Sequence, residues 1–151
     1  MGCLFIFRHK ILIHSSFQVK LKDPSFFGRD FLNIQLLTPD DAEEYAALRL
    51  EALQFNPESF AMSYEEEQIN TKDRYKARFA WAQSMWTFGA FHQGQLMGAV
   101  TLIQETLQKL KHRANLTAMY VTPSARGEGA GQALMMKVLS FARERQDIEQ
   151  M

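Results

Sequence analysis

The densest cluster of residues that could do chemistry is a glycine-rich run near the carboxyl end of the chain. Arg126 is followed by three alternate glycines, Gly127, Gly129 and Gly131. Glycine permits positive φ angles and lets a ligand approach the main chain closely. An arginine guanidinium presents a rigid fork of donors that matches phosphate oxygens. The run therefore predicts a site for a phosphate or another anion.

The run lies where a strand is expected to lead into a helix. Leu116–Val121 is rich in β-prone residues, and Pro123 stops the ladder because it has no N–H to donate. A helix start leaves its first N–H groups without intrahelical partners and carries a partial positive charge, which adds to an anion site. A tight connection that needs glycine only for its geometry is the alternative, and the arginine with three glycines favours the anion site. The helix itself is predicted by an apolar stripe at Ala130, Leu134, Val138, Phe141 and Ala142.

Two common phosphate-binding patterns do not fit the run. A Walker loop requires Lys and then Ser or Thr after its last glycine, but Gly131 is followed by Gln132 and Ala133. A dinucleotide fingerprint requires G-x-G-x-x-G, whereas the glycines here follow G-x-G-x-G. The run therefore belongs neither to a Walker-type nucleotide-binding loop nor to a dinucleotide-binding fingerprint.

A third pattern does fit. Arg126, Gly129 and Gly131 form R-x-x-G-x-G, preceded by Val121-x-Pro123. In these residues the sequence resembles the GNAT superfamily of N-acetyltransferases, whose signature loop holds the pyrophosphate of acetyl-coenzyme A. Strand, proline, arginine, glycines and helix all agree with that signature.

The resemblance implies an α+β protein with the acyl-CoA N-acyltransferase fold, a mostly antiparallel sheet flanked by helices. It implies transfer of acetyl from the cosubstrate acetyl-CoA to a primary amine of a small molecule or protein, without a metal. Backbone groups at the end of the strand would pair with the pantetheine arm, one of them polarising the thioester carbonyl. Backbone N–H groups of the glycine run would bind the pyrophosphate. The implied cofactor-binding residues are Met119, Tyr120, Val121, Arg126, Gly127, Glu128, Gly129, Ala130, Gly131 and Gln132.

No catalytic residue follows from the sequence. The amine must be neutral to attack, so a base or a chain of waters should accept its proton. The predicted fourth strand has no carboxylate, and Glu105 at the end of the third strand is a candidate without further support. Arg49 and Glu51 of the first helix are expected to be solvated or to pair helices rather than to act in catalysis.

The acidic run Glu65–Glu67 has two interpretations. A run of like charges is usually a solvated face. In the resembling family, however, this segment forms a wall of the acceptor site, and three carboxylates there would favour a cationic amine as acceptor. Both interpretations stay open.

Length and composition limit the possible classes of protein. A chain of 151 residues is long enough for one domain with a core. Lys+Arg and Asp+Glu both number 17, so no overall field directs the chain to nucleic acid or an anionic membrane. The single cysteine, Cys3, fits a reducing compartment, and no apolar run approaches the ~20 residues of a membrane span. We expect a cytoplasmic protein with a small-molecule or peptide amine as acceptor and no nucleic-acid, membrane or metal partner.

The chain is expected to have two parts. Residues 1–31 lie outside the resemblance and form an extension, either an extra strand or hairpin or a poorly ordered segment. Residues 32–151 form the N-acetyltransferase domain, which is expected to lack the C-terminal strands and helix of the family and to leave the fourth strand as an exposed edge. Three interpretations stay open: an active N-acetyltransferase with its sheet completed by a homodimer partner, an impaired remnant that binds coenzyme A, and a module that self-associates through that edge.

The remaining elements are predicted from periodicity and turn residues. Leu107–Arg113 is predicted as a solvated turn. The order is a strand at Ile34–Leu37, a helix from Thr38 to Phe55, a loop at Glu58–Asn70, a helix at Thr71–Ala82, strands at Trp86–His92, Leu96–Glu105 and Ala114–Val121, and the last helix.

Overall fold

The computed structural model describes residues 32–69, 72–149 and 151. The interpretation of residues 1–31 as an extra strand or poorly ordered extension lies outside the described residues. Four strands form one antiparallel sheet in the order β1-β2-β3-β4. They are β1 (Asn33–Leu36), β2 (Met85–His92), β3 (Gln95–Gln104) and β4 (Ala114–Val121). The predicted strands are confirmed within one residue at each end.

Within the described ranges, four α-helices cover the two faces of the sheet. They are α1 (Ala42–Phe55), α2 (Tyr64–Ile69), α3 (Lys72–Ala80) and α4 (Ala130–Glu144). The predicted first helix is confirmed, with Thr38 and Asp41 forming a capping box over a single 3-10 turn before α1. The predicted loop before α3 is wrong in part, because α2 occupies its second half.

Each face of the sheet has its own apolar core. On one face α4 places its stripe against β2 and β3, and Leu134, Val138 and Ala142 are fully buried there. On the other face α1 and α3 enclose three aromatic rings. Tyr45 meets the rings of Tyr75 and Phe79 edge-on, at centroid distances of 4.8 and 5.3 Å. The sheet is therefore packed between two helical layers.

An irregularity interrupts β4 in its middle. Thr117 pairs with Thr101 of β3, and Tyr120 pairs with Ala99. Two residues of β4, Ala118 and Met119, therefore lie opposite one residue of β3, Val100, and form a β-bulge. Ala118 has φ 51°, a left-handed conformation that costs a non-glycine residue about 1–2 kcal/mol. Backbone groups at a bulge are released from the ladder, so this strain marks a place where β4 can pair with something other than β3.

The segment after α4 returns to the sheet. Ile148 and Met151 are buried in the core under α4, and the Glu149 N–H donates to the His112 carbonyl over 2.8 Å. Among the described helices, none has the length and apolarity that a bilayer crossing requires.

Candidate active site

The glycine run forms the turn between β4 and α4. After β4, a 3-10 turn at Pro123–Ala125 leads into it. Gly127 and Gly129 have φ angles of 83° and 87°, in the region that L-residues avoid. Gly129 is the N-cap of α4, so the N–H groups of the next residues lie at the free, electropositive end of the helix. The predicted strand, glycine turn and helix are confirmed as structure, and their binding of a diphosphate stays a prediction.

The two ends of the turn differ in the space around them. A Cβ added to Gly127 would meet nothing within 4 Å, so this side of the turn is open. A Cβ added to Gly131 would point back toward the sheet, 3.4 Å from Met119 Cε and 3.9 Å from Val121 Cγ2. A ligand that approaches the turn therefore meets backbone at Gly127, whereas Met119 and Val121 limit the space beside Gly131.

The Arg126 side chain braces the turn. Its Nε donates to the Val121 carbonyl over 2.9 Å, and one terminal nitrogen lies 3.4 Å from Asn56 Oδ1. The guanidinium also lies over the Tyr120 ring, 5.6 Å from the centroid. These contacts tie the turn to the end of β4 and to the end of α1. The binding of a phosphate by the Arg126 guanidinium stays a prediction. Only its terminal nitrogens would be available for it, because Nε already donates to Val121.

Glu51 is a polar group at this site that the sequence analysis missed. Its Oε1 accepts hydrogen bonds from the Tyr120 hydroxyl at 2.9 Å and the Thr122 hydroxyl at 2.6 Å. The expectation that Glu51 is solvated or pairs helices is therefore wrong, because it links α1 to the end of β4. Its position three residues after Leu48 and beside Ala52, both buried, is the signal that could have placed it on the inner face.

Burial and this network both favour the neutral form of Tyr120. Burial of the side chain, followed by the hydrogen bond to Glu51, raises the pKa of Tyr120 from 10.0 to about 12. Tyr120 therefore stays a neutral donor to a higher pH than a free tyrosine. An open groove of about 460 Å³ lies beside the network, lined among others by Glu44, Glu51 and Ser124.

A second, smaller cavity lies beside the bulge of β4, on the face covered by α1–α3. Its volume is about 120 Å³, and Thr117 and Ala118 form part of its wall. Glu67 also lines this cavity and is 2% exposed. It accepts a hydrogen bond from the Tyr75 hydroxyl and lies 3.7 Å from Arg49 Nη2. The expected helix-pairing role of Arg49 is confirmed, since this ion pair joins α1 to α2.

The acidic run does not form a common surface. Glu67 is buried in the ion pair just described, and Glu66 accepts from the Ser63 N–H at the start of α2. Glu65 is the one exposed member without such a role among the described contacts. Neither a fully solvated face nor a wall of three carboxylates describes this segment.

Glu105, the carboxylate considered as a base, lies away from the bulge. It accepts from Asn115 Nδ2 over 2.9 Å at the end of β4 opposite the glycine turn. Glu105 lies four positions along the chain from Thr101, which pairs with β4 next to the bulge. At ~3.3 Å per residue that is roughly 13 Å, too far for proton transfer at the bulge. Within the described ranges, no group of three or more His, Cys, Asp or Glu side chains could hold a metal ion.

A four-stranded antiparallel sheet between helices, with a glycine turn that leads from its last strand into α4, is the fold of the acyl-CoA N-acyltransferases. Residues 44–151 match the profile of the acetyltransferase (GNAT) family. The chain therefore belongs to that family, as its resemblance in the glycine run predicts.

Several solved acetyltransferases share this fold. The PaiA N-acetyltransferase from Thermoplasma acidophilum, solved in complex with coenzyme A, has a TM-score of 0.64 at 18% identity, over 78% of this chain and 75% of that chain. A GCN5-related N-acetyltransferase from Ralstonia eutropha JMP134 has a TM-score of 0.58 at 25% identity, over 76% and 78%. A ribosomal-protein-alanine N-acetyltransferase from Brucella melitensis biovar Abortus 2308 has a TM-score of 0.56 at 23% identity, over 76% and 74%. No protein of curated function matches the sequence.

Proposed function

We propose that this chain is an N-acetyltransferase that transfers acetyl from acetyl-CoA to a primary amine. The observation that carries the proposal is the glycine turn at the end of a bulged β4, in a chain whose residues 44–151 match the acetyltransferase family. The related PaiA enzyme, which has the same fold, was solved with coenzyme A bound.

The coenzyme is held by backbone groups in this proposal. The N–H groups of residues 127–132 bind the diphosphate at the start of α4, where the helix end is electropositive and Gly127 leaves the approach open. The pantetheine arm lies along the end of β4 and pairs with backbone groups of Met119 and Tyr120. The Val121 carbonyl contributes less, because it already accepts from Arg126.

Acetyl transfer needs one attack and one proton loss. The neutral amine nitrogen attacks the thioester carbonyl carbon, a C–N bond forms and the C–S bond breaks. The nitrogen gives up one proton to water, and coenzyme A leaves as the thiolate, which takes up one proton from water to become the thiol. Backbone N–H groups near the bulge stabilise the negative charge that develops on the carbonyl oxygen. Tyr120 does not accept the proton from the amine, since its hydroxyl is already protonated and donates to Glu51.

Thiol release tests the proposal. The purified chain is incubated with acetyl-CoA and a panel of primary amines, free thiol is followed with a chromogenic disulfide, and the N-acetyl product is identified by mass spectrometry. The expected result is thiol release that depends on the amine and saturates with it. Coenzyme binding by calorimetry without any amine-dependent release would replace the proposal with that of an impaired coenzyme-binding remnant, and no binding at all would overturn the site.

A further inference from the structure

The cavity beside the bulge has an unusual set of charges. It lies on the face opposite α4, with Thr117 and Ala118 at its wall, so it opens on the part of β4 where the proposed function places the thioester carbonyl. Two partly buried arginines, Arg49 and Arg78, line it against one carboxylate, Glu67.

The carboxylate is already paired inside the protein. Glu67 is 2% exposed, accepts from the Tyr75 hydroxyl and lies 3.7 Å from Arg49 Nη2. Both of its oxygens are thus engaged, and Glu67 can compensate at most one of the two positive charges of Arg49 and Arg78. The cavity keeps an excess of positive charge.

Aromatic rings hold two of the guanidinium groups in place. Arg78 lies among the rings of Tyr45, Tyr75 and Phe79, with centroid distances of 5.1, 4.9 and 5.0 Å. Arg49 lies 4.7 Å from the centroid of Phe60. A guanidinium fixed in this way loses little further freedom when it binds a ligand, so its remaining donors are preorganised.

Both guanidinium groups retain donors without an acceptor. Arg78 donates from Nη2 to Thr87 Oγ1 over 3.1 Å, but its Nε is buried and has no hydrogen-bond partner among the residues that the structure describes. In the same part of the chain, Arg49 Nη1 is also buried without a partner. A buried charge without full compensation is unfavourable, and an anionic group in the cavity beside the two guanidinium groups would lower that cost.

We propose that the acceptor substrate carries a carboxylate, and that Arg49 and Arg78 bind that carboxylate while the amine reaches the bulge at Ala118. The inference rests on the proposed acetyl transfer and names its substrate class: a small primary amine that is also an acid, such as an amino acid. A cavity of about 120 Å³ equals roughly four water volumes, enough for a carboxylate and a few carbons. The expectation of a cationic acceptor, drawn from Glu65–Glu67, is replaced, since polyamines and amino sugars would meet positive charge here.

Matched amines test this class in the intact chain. Alanine and alaninamide differ only in the carboxylate, and the amide has the less basic, intrinsically more available amine. The carboxylate should nevertheless raise kcat/KM by about 10- to 100-fold, mainly through KM, as for a charge-assisted hydrogen bond. Phosphoethanolamine and ethanolamine form a second pair. A preference for the phosphate compound without one for alanine over alaninamide would overturn the carboxylate assignment, as would a preference for spermidine.

Variants show whether the arginines cause the preference. Arg49→Gln and Arg78→Gln should each reduce the alanine-to-alaninamide ratio by about tenfold, while Arg78→Lys keeps the charge and loses less. Arg143→Gln, a change on the exposed side of α4, is the matched control and should keep the ratio. Circular dichroism verifies that each variant is folded. An unchanged ratio in both folded Gln variants would overturn the assignment.

A binding experiment separates this inference from the proposed reaction. N-acetylalanine and its amide are titrated into the wild-type chain by calorimetry, with coenzyme A present. The acid should bind at least tenfold more tightly than the amide, and Arg78→Gln should remove the difference. This result without any thiol release would keep the carboxylate site and reject the transfer; equal binding of acid and amide, with thiol release observed, would reject the carboxylate site alone.

Discussion

Replacing Gly129 with valine should abolish coenzyme binding. Gly129 has φ 87° at the N-cap of α4, and a left-handed conformation costs an L-residue about 1–2 kcal/mol, more when the side chain is β-branched. The variant can relieve that strain only by rotating the peptide units whose N–H groups are proposed to bind the diphosphate. Each lost hydrogen bond to a charged group weakens binding by about 1.5–3 kcal/mol, roughly 10- to 100-fold. Loss of two such bonds would weaken binding by about 3–6 kcal/mol, on the order of 10²- to 10⁴-fold.

Gly131→Ala provides the control. No positive φ is present at Gly131, and the new Cβ would make ordinary contacts with Met119 and Val121 at 3.4 and 3.9 Å. It should leave both folding and coenzyme affinity within about threefold of the wild type, because its methyl group points away from the open side of the turn. Calorimetric titration of coenzyme A into the three proteins gives the affinities, and thermal unfolding reports their stability. Unchanged affinity in folded Gly129→Val would refute the assignment of the site.

Three further predictions concern β4: the ionisation of Tyr120, the positive φ of Ala118 and the free edge of the strand. Because the pKa of Tyr120 is about 12 when folded and 10.0 when unfolded, its stabilisation is complete below pH 10 and is lost as the pH rises to 12. Urea titrations of the wild type and of Tyr120→Phe test this. Between pH 10 and pH 12 the free energy of unfolding should fall by on the order of 2–3 kcal/mol more in the wild type than in the variant. Parallel curves would contradict the shifted pKa. Ala118→Val should lower the free energy of unfolding by about 1–2 kcal/mol whereas Ala118→Gly should not, and equal losses in urea unfolding would mean that φ 51° is not strained. We further propose that a second copy of the chain pairs with the edge of β4 ahead of the bulge, at Ala114–Thr117, which leaves Met119 and Tyr120 to the pantetheine arm; within the described sheet β4 has only β3 as neighbour. Light scattering should then give twice the chain mass, and a monomer at every concentration would remove the proposal.

The sheet and the glycine turn could be predicted because each depends on local signals. Strand boundaries followed from β-prone runs and turn residues, and α4 followed from an apolar stripe that holds over its whole length. The helix α2 was missed although Ser63 and Glu66 form a reciprocal cap at its start, since six residues are too few for a periodic stripe and the glutamates indicated a solvated face.

The polar network and the charged cavity could not be predicted because they join distant parts of the chain. Glu51 meets Tyr120 across 69 residues, and the arginines of the cavity come from two helices. The bulge at Ala118 also leaves no trace in the sequence, because alanine gives no indication of a positive φ. Pairings of this kind depend on how the helices pack on the sheet.

The most direct test of the central claim is the response of individual amides to coenzyme A in a ¹⁵N-labelled sample. Titration should shift the N–H signals of residues 127–132 most strongly, followed by those of Met119 and Tyr120, while the signals of the turn at residues 107–113 stay in place. Shifts concentrated anywhere else in the chain, or none at saturating coenzyme, would contradict the account.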